Sequence, residues 1–463
     1  MKFINKNIYW IETSNKEHRF YPLWVLLHKV EVMELIGAWE DAASILSKIL
    51  EIFQNSASPE HIVITKNTLA KILFRKGRFN EALRMYQDIY QHYSQVNSVP
   101  NMSLSAVNIG MSLWMMGKSD EAMEYLEKGM ALARESGEGR IISQALGNIG
   151  NAYALQGLYQ KARECYQEQM ALSEQMGDMN IHLYSLTNLG NIYLLLQEFD
   201  KAVDLYERAA ILSLKIGNKL AQLTVRGNLG LIAQNRGDLA KAEGSYLEQL
   251  SLAQQIGYIP GVITAYGKLG SLYQSQGRLT ISEEYYKRQC ILSQKIGDVL
   301  NQWRAYSNLA LNCLLQDSPE RAVKYCQQAD GVMIKYIDPI DRGHLYWHWA
   351  EALFELGEFM EAKAKADETW NIFKELNDQT ELKKLELFVR IIEFRLGKKD
   401  NIEDILSLID GDGRQELYAE AYYRLYKETL DSRYKTMAEK YVGDMINLSN
   451  DFIWKKRWQE IGE

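Results

Sequence analysis

Proline is scarce in this chain, at six in 463 residues. A sequence so poor in the strongest helix breaker can run helix after helix, and abundant Ala, Leu, Glu, Gln and Lys favour that outcome. Cysteine is rarer still: Cys165, Cys290, Cys313 and Cys326 show neither a CxxC pair nor zinc-ligand spacing. That excludes a disulfide framework and a zinc module, and it suits reduced, small hydrophobes inside helices of a cytoplasmic protein. Basic residues are not in excess; the formal charge is −7, which argues against nucleic acid as a partner. No apolar run approaches the roughly 20 residues that span a bilayer, so no membrane partner is expected. Met1–Asn15 carries two lysines and no continuous apolar stretch, so it does not read as a secretory signal. The phosphate-cradling GxxxxGK[ST], a GxGxxG after a strand, the nucleophile turn GxSxG and the zinc-binding HExxH are all missing. With no catalytic constellation, the expectation is a protein that is not an enzyme and takes no cofactor or metal.

What is present is a period. Gly recurs at Gly37, Gly77, Gly117, Gly157, Gly237, Gly277, Gly357 and Gly397, always multiples of 40 apart, with Gln197 and Asp317 in the two remaining slots. Five residues on comes Ala42, Ala82, Ala122, Ala162, Ala202, Ala242, Ala322 or Ala362, with Ser282 as a substitute. Four further lies Tyr86, Tyr166, Tyr206, Tyr246 or Tyr286. The glycine falls between two helical patterns, where a tight reversal needs positive φ. The alanine lets two helices approach, and the tyrosine, one turn along the same face, fills the space between them.

A second punctuation mark stands at Asn97, Gly137, Gly177, Gly217, Gly257, Gly297 and Asn377, all residues that end helices in the left-handed conformation. Each unit is therefore helix A, a short turn, helix B and a capped connection. Pro22, Pro59, Pro100, Pro260 and Pro339 fall near predicted starts of helix A, and Pro319 at the start of a helix B, where proline is tolerated. The period divides the chain into an N-terminal segment (1–20), an array of about ten units (21–400) and a degenerate closing region (401–463). Ile402 replaces the alanine of the tenth unit and Gly411–Gly413 breaks its second helix. A helical pair near Gln415–Lys427 and Ser432–Leu448 caps the array. Asn450–Glu463, with Trp454 and Trp458, reads as a last amphipathic turn or a frayed end.

The segment Ala145–Ser173, ALGNIGNAYALQGLYQKARECYQEQMALS, resembles the tetratricopeptide repeat through Gly150, Tyr153, Gly157, Ala162 and Tyr166. The 40-residue length, with LGNIGNAY and LTNLGNIY, resembles the longer-helix members: the Leu-Gly-Asn-rich (Pins-type) spindle adaptors, kinesin light chains and bacterial regulators with such arrays. The resemblance covers about residues 21–400. It implies an all-α, right-handed superhelical solenoid of about ten helical hairpins with a capping pair, helix A lining the concave side and helix B the outer side. A helix pair cannot bury its own apolar face, so neighbours must stack into one continuous core.

In this family one stripe of helix A lines the groove. Mapped from the small residue, the stripe holds two asparagine ladders: Asn108, Asn148, Asn188, Asn228 and Asn308 with Lys268 in the open slot, then Asn151 and Asn191 three residues on. A side-chain amide donates and accepts together, so it can bracket an extended main chain without reading sequence. Such asparagines can equally bond neighbouring helices across the stack. Arg304 holds a position where the spindle adaptors carry arginine, but Gln144, Tyr184, Thr224 and Thr264 fill the equivalent slots. The basic groove that would favour an acidic peptide is thus mostly missing. Gly227 and Leu231 also stand where a carboxylate clamp needs basic residues.

Within His344–Glu355, HLYWHWAEALFE, Trp347 and Phe354 map to the groove stripe and Tyr346 and Trp349 to core positions. An exposed Trp is a common anchor for a partner side chain, and packing of Trp347 against the next unit is the equal alternative in so aromatic a fold. His344, His348 and Glu351 share a helical face but lack the further ligand a metal site needs. Cys165 and Cys326, at or beside the tyrosine column, are expected to be buried and inert. The expected function is that of an intracellular adaptor holding a protein or peptide segment in the concave groove. The alternative is a ligand-sensing or regulatory module of a bacterial signalling or transcription-control system.

Overall fold

The computed structural model describes residues 20–35, 39–54, 59–332, 337–397, 406, 414–449 and 452–462. Among these residues there are 22 α-helices and no strand. The first twelve are α1 (Phe20–Leu35), α2 (Trp39–Gln54), α3 (Pro59–Arg75), α4 (Phe79–Gln95), α5 (Val99–Met115), α6 (Ser119–Ser136), α7 (Gly139–Leu155), α8 (Tyr159–Met176), α9 (Met179–Leu195), α10 (Phe199–Lys215), α11 (Lys219–Asn235) and α12 (Leu239–Gln255). Then follow α13 (Ile259–Ser275), α14 (Leu279–Ile296), α15 (Val299–Leu315), α16 (Pro319–Gly331), α17 (Pro339–Glu355), α18 (Phe359–Glu375) and α19 (Gln379–Arg395). The last three are α20 (Gln415–Thr429), α21 (Ser432–Ser449) and α22 (Phe452–Gly462). The chain forms two compact units that divide between Ala265 and Tyr266, inside α13.

The helices stop where the backbone turns left-handed. First-turn glycines Gly77, Gly117, Gly157, Gly237, Gly277, Gly357 and Gly397 have φ of 71–79°, and Gln197 and Asp317 adopt the same conformation at 59° and 53°. Second-turn residues do likewise, from Asn97 (51°) through Gly177 (67°) to Asn377 (55°). At Gly157 the next amide, Leu158 N–H, reaches back to Tyr153 O at 2.9 Å and satisfies a carbonyl the helix end leaves open. Glu198 N–H does the same to Tyr193 O at 2.8 Å after Gln197. Helix starts are capped from the same connections: Asp178 accepts from the Asn180 and Ile181 amides, and Asp298 from Asn301. Pro59, Pro319 and Pro339 are first residues of their helices and Pro100 and Pro260 second, where no intrahelical N–H is required.

Packing follows the two columns. The alanines from Ala42 to Ala362, together with Ser282, are wholly buried, and so are the five tyrosines. The tyrosine ring lies over the small residue of the preceding helix A. A methyl group at Gly190 would sit 2.7 Å from Tyr206 Cε1, closer than carbon atoms approach, so only glycine fits under that ring. Within the first unit this stacks α7 to α11 through Tyr166, Leu183, Leu186, Leu189 and Tyr206.

In the second unit a separate cluster of Ala419, Tyr423, Ala438, Val442, Trp454 and Ile461 joins α20, α21 and α22. The capping pair expected at 415–427 and 432–448 is observed as Gln415–Thr429 and Ser432–Ser449. The tail is not a frayed end. Phe452–Gly462 is a packed helix in which Trp454 is 7% exposed and Trp458 43%. Residues 1–19, Gly37, Ile402 and Gly411–Gly413 lie outside the described residues.

Candidate functional site

In the first unit, α3, α5, α7 and α9 turn a polar stripe onto a cavity of about 750 Å3. Amides dominate its lining: Asn67, Asn101, Asn108, Gln144, Asn148, Asn151, Asn180 and Asn188, with Gln169 reaching in from α8. Charge is sparse, being Lys71, Arg140 and Asp178. Helical spacing produces the stripe, because Gln144, Asn148 and Asn151 lie at i, i+4 and i+7 on α7. The asparagines divide across the two ladders. Tyr166 Oη donates to Asn151 Oδ1 at 2.7 Å, and Tyr206 Oη to Asn191 Oδ1 at 2.7 Å. Asn228 Nδ2 also donates to Asn191 Oδ1 at 2.8 Å and to Tyr206 Oη at 3.1 Å. Asn191 and Asn228 are therefore joined to each other and to the tyrosine column, and neither lines the cavity. Asn148 and Asn188 line it, and among the described residues their side-chain amides make no hydrogen bond.

Gln169 sharpens the picture. Its Nε2 donates to Ser143 O at 2.7 Å in the space Gly147 leaves open, while its Oε1 is buried without a partner. The side chain is 5% exposed, so that lone acceptor lies almost out of reach of bulk water. Thr224 and Thr264 bond back to their own helices, at Leu220 O (3.1 Å) and Pro260 O (3.0 Å), so their methyl groups rather than their hydroxyl protons are left to face outward.

The remaining candidates belong to the second unit. Lys268 is partly buried on α13, and burial pulls its ammonium down to about 8. Arg304 is exposed on α15. Trp347, expected on an open stripe, is only 8% exposed and meets the Phe373 ring edge-on at 6.3 Å, while Tyr346 and Trp349 are the half-buried pair. The swap has a steric cause, since the space beside Gly343 admits the Phe373 ring on which Trp347 rests. Trp347 and Phe354 floor a cavity of about 540 Å3 whose walls carry His344, His348, Glu351, Lys384, Glu420 and Arg424.

Those charges are cross-linked. Arg424 pairs with Glu351 at 2.5 Å and with Glu420, which Arg457 also engages. Burial alone would raise Glu351 and Glu420. Neighbouring His348 and Arg424 outweigh it at Glu351, and Arg457 and Arg424 outweigh it at Glu420, so both carboxyls are held below the ordinary range. Burial would likewise lower Arg424, but the two carboxylates raise it. The Arg424 and Arg457 pairs make this face an ion-pair network, and His348 Nδ1 lies 3.6 Å from Glu351 beside it. Among the described residues no group of His, Cys, Asp and Glu could hold a metal ion. Burial pushes the half-buried Cys165 thiol up to about 11 and raises that of the fully buried Cys326, so neither is a thiolate at neutral pH.

The repeat geometry has a counterpart among known families. The family profile described as Tetratricopeptide repeat matches residues 22–95, 63–135, 101–175, 141–215, 181–255 and 219–290. The chain belongs to the tetratricopeptide-repeat family. Membership makes it a protein-interaction or regulatory module built on an all-α repeat.

No curated protein matches the sequence. Among solved structures, BtubC from P. vanneervenii is similar at 21% identity, covering 45% of this chain and 90% of its own, with a TM-score of 0.40. A STAND signal-transduction ATPase with a tetratricopeptide-repeat sensor from Pyrococcus horikoshii aligns at 15% identity over 73% of this chain and 54% of its own, with a TM-score of 0.49. Aspartyl phosphate phosphatase F from Bacillus subtilis aligns at 12% over 76% and 93%, also with a TM-score of 0.49. Among the described residues no helix of this repeat protein is long and apolar enough to cross a membrane.

Sequence reasoning missed two features of these sites. Gln169 recurs as Gln249 and Gln289, each packed on a glycine (Gly147, Gly227, Gly267), and that Gly/Gln pairing at a fixed 22-residue spacing was a readable signal. The ion-pair network of the second unit carried none, because its members come from α17, α20 and α22.

Proposed function

We propose that this tetratricopeptide-repeat chain is an intracellular adaptor that holds an extended segment of a partner protein along the amide stripe of its first unit. The observation that carries the reading is the pairing of Asn148 and Asn188, whose amides make no bond among the described residues, with the partnerless Oε1 of Gln169 in one cavity. A main chain presents alternating N–H and C=O groups, and amide side chains answer both. Tyrosine anchors Asn151 through its oxygen and leaves its NH2 to donate. Residues 21–400 serve as the array and 401–463 close it.

The test is capture of partners from the source cell by the wild-type chain and by an Asn148→Ala/Asn188→Ala chain, with crosslinks mapped by mass spectrometry. Each hydrogen bond is worth about 1 kcal/mol, so the pair is expected to weaken capture by about tenfold or more without shifting the melting temperature. Equal recovery by both chains, or crosslinks only on helix B surfaces, would sink the assignment.

A further inference from the structure

Gln169 lies one layer behind the amide stripe. It belongs to α8, which packs on both α7 and α9, and it lines the cavity together with residues of those two helices. The orientation of its amide is fixed. Ser143 O can only accept, so the NH2 group must face it, at 2.7 Å, and Oε1 is turned away. That oxygen is buried and has no partner among the described residues, on a side chain 5% exposed. A buried acceptor left unanswered is costly, so the floor of the cavity calls for a donor. A main chain lying on the stripe meets Asn148 and Asn188 first, and only a side chain extends to the layer behind them.

The chemistry of that side chain follows from its surroundings. Asn151 has its Oδ1 taken by Tyr166, so its NH2 is left to find an acceptor. A carboxylate would set its own acceptors against Oε1. An ammonium or guanidinium would be buried without a counter-ion. Asp178, the one acid among the described residues lining the cavity, is engaged in capping α9 through the Asn180 and Ile181 amides. A primary carboxamide donates and accepts in one plane and answers both needs. We propose, on the strength of the groove reading above, that Gln169 is a specificity-determining acceptor. It takes the side-chain NH2 of an Asn or Gln in the bound segment, while the stripe asparagines donate to that side chain's oxygen.

The repeat supplies a clean way to remove the acceptor. The positions of Gly147 and Gln169 are held in the next unit by Thr187 and Ala209. A Cβ on Gly147 would stand 2.5 Å from Gln169 Nε2, whereas Thr187 has room beside an alanine and bonds Leu183 O, the counterpart of Ser143 O, at 2.9 Å. Gly147→Thr/Gln169→Ala therefore installs a pair the fold already accommodates and leaves Ser143 O a partner. Gln249, packed on Gly227 with its Oε1 also buried and partnerless, does not line the cavity, so the same exchange there serves as control.

The test pans a phage-displayed library of random linear peptides on the full wild-type chain, then titrates the enriched peptides, fluorescently labelled, against each variant. Enriched peptides should share an Asn or Gln, and replacing it with Leu or Asp should weaken binding about tenfold or more. Gly147→Thr/Gln169→Ala should weaken the parent peptide by a similar factor and the Leu-substituted peptide no further. Gly227→Thr/Gln249→Ala should leave binding unchanged. Peptides that need Asn148 and Asn188 but show no carboxamide preference, or that bind Gly147→Thr/Gln169→Ala as tightly, would overturn the subsite and leave the groove reading standing. Equal losses in the two exchanges would overturn it as a packing effect. If the wild-type chain enriches no peptide, the groove reading fails and the subsite falls with it.

Discussion

Tyr166 donates its hydroxyl to Asn151 Oδ1 at 2.7 Å, linking the buried column of helix B to the open stripe of helix A. Forty residues on, Tyr206 makes the same bond to Asn191 at 2.7 Å. The phenol turns the amide oxygen inward, so the groove is offered the amide's donors. Tyr166→Phe keeps the ring and removes that orientation. It should lower stability by about 0.5–1.5 kcal/mol in urea denaturation. A double-mutant cycle with Asn151→Ala should show coupling, and fully additive effects would mean the bond is not formed in solution.

Gly190 and Gly244 should respond oppositely to one added methyl group. At Gly190 the new Cβ meets the Tyr206 ring at 2.7 Å, so Gly190→Ala should destabilise by about 1–3 kcal/mol despite alanine's better helix propensity. At Gly244, mid-helix in α12, nothing lies within 4 Å, and Gly244→Ala should stabilise by up to about 1 kcal/mol. Thermal melts of the two variants moving in the same direction would contradict the packing.

Gln197 carries a side chain at φ 59° in a turn where its counterparts other than Asp317 are glycine. Gln197→Gly should therefore stabilise the chain by about 1 kcal/mol, since an L side chain in that conformation costs about 1–2. Gly157→Ala should cost a similar amount although its Cβ would touch nothing within 4 Å, because the strain lies in the backbone. Urea midpoints decide both.

Arg424 stands between Glu351 and Glu420, and Arg424→Met would leave both buried carboxylates short of a partner. The expected loss is about 3–5 kcal/mol. The wild-type pH dependence follows from the same network. Both carboxyls titrate below their ordinary value of 4.5. Their stabilisation is therefore complete above pH 4.5 and drains as the pH falls through the folded values. Denaturation midpoints should fall below about pH 4.5, and part of that slope should vanish in Arg424→Met. A flat profile in the wild type would mean the network is not formed.

Local chemistry made most of the fold legible. Positive φ at Gly157, wholly buried Ala162 and the ring of Tyr166 recur every 40 residues because each unit meets the same neighbours. A pattern repeated that often reveals helix boundaries and core positions without any coordinates. It also drew the stripe of Asn148, Asn151 and Asn188. It left open which amides face the groove, since a side chain at a repeat position can serve either surface. Trp347 shows the same limit: register put it on the stripe, and the room beside Gly343 turned it inward.

By itself, then, the sequence determined the all-α repeat, its turns, its buried columns and its family, all consequences of contacts between residues within about one unit. Tertiary structure alone decided how Tyr166 orients Asn151, and that Lys456 returns to Leu315 and Asp317. The reason is range. The Lys456 contact joins groups some 140 residues apart, outside the repeat, and depends on the open end of α15 and the packing of α20. No period encodes such a meeting, so it exists only once the chain has folded.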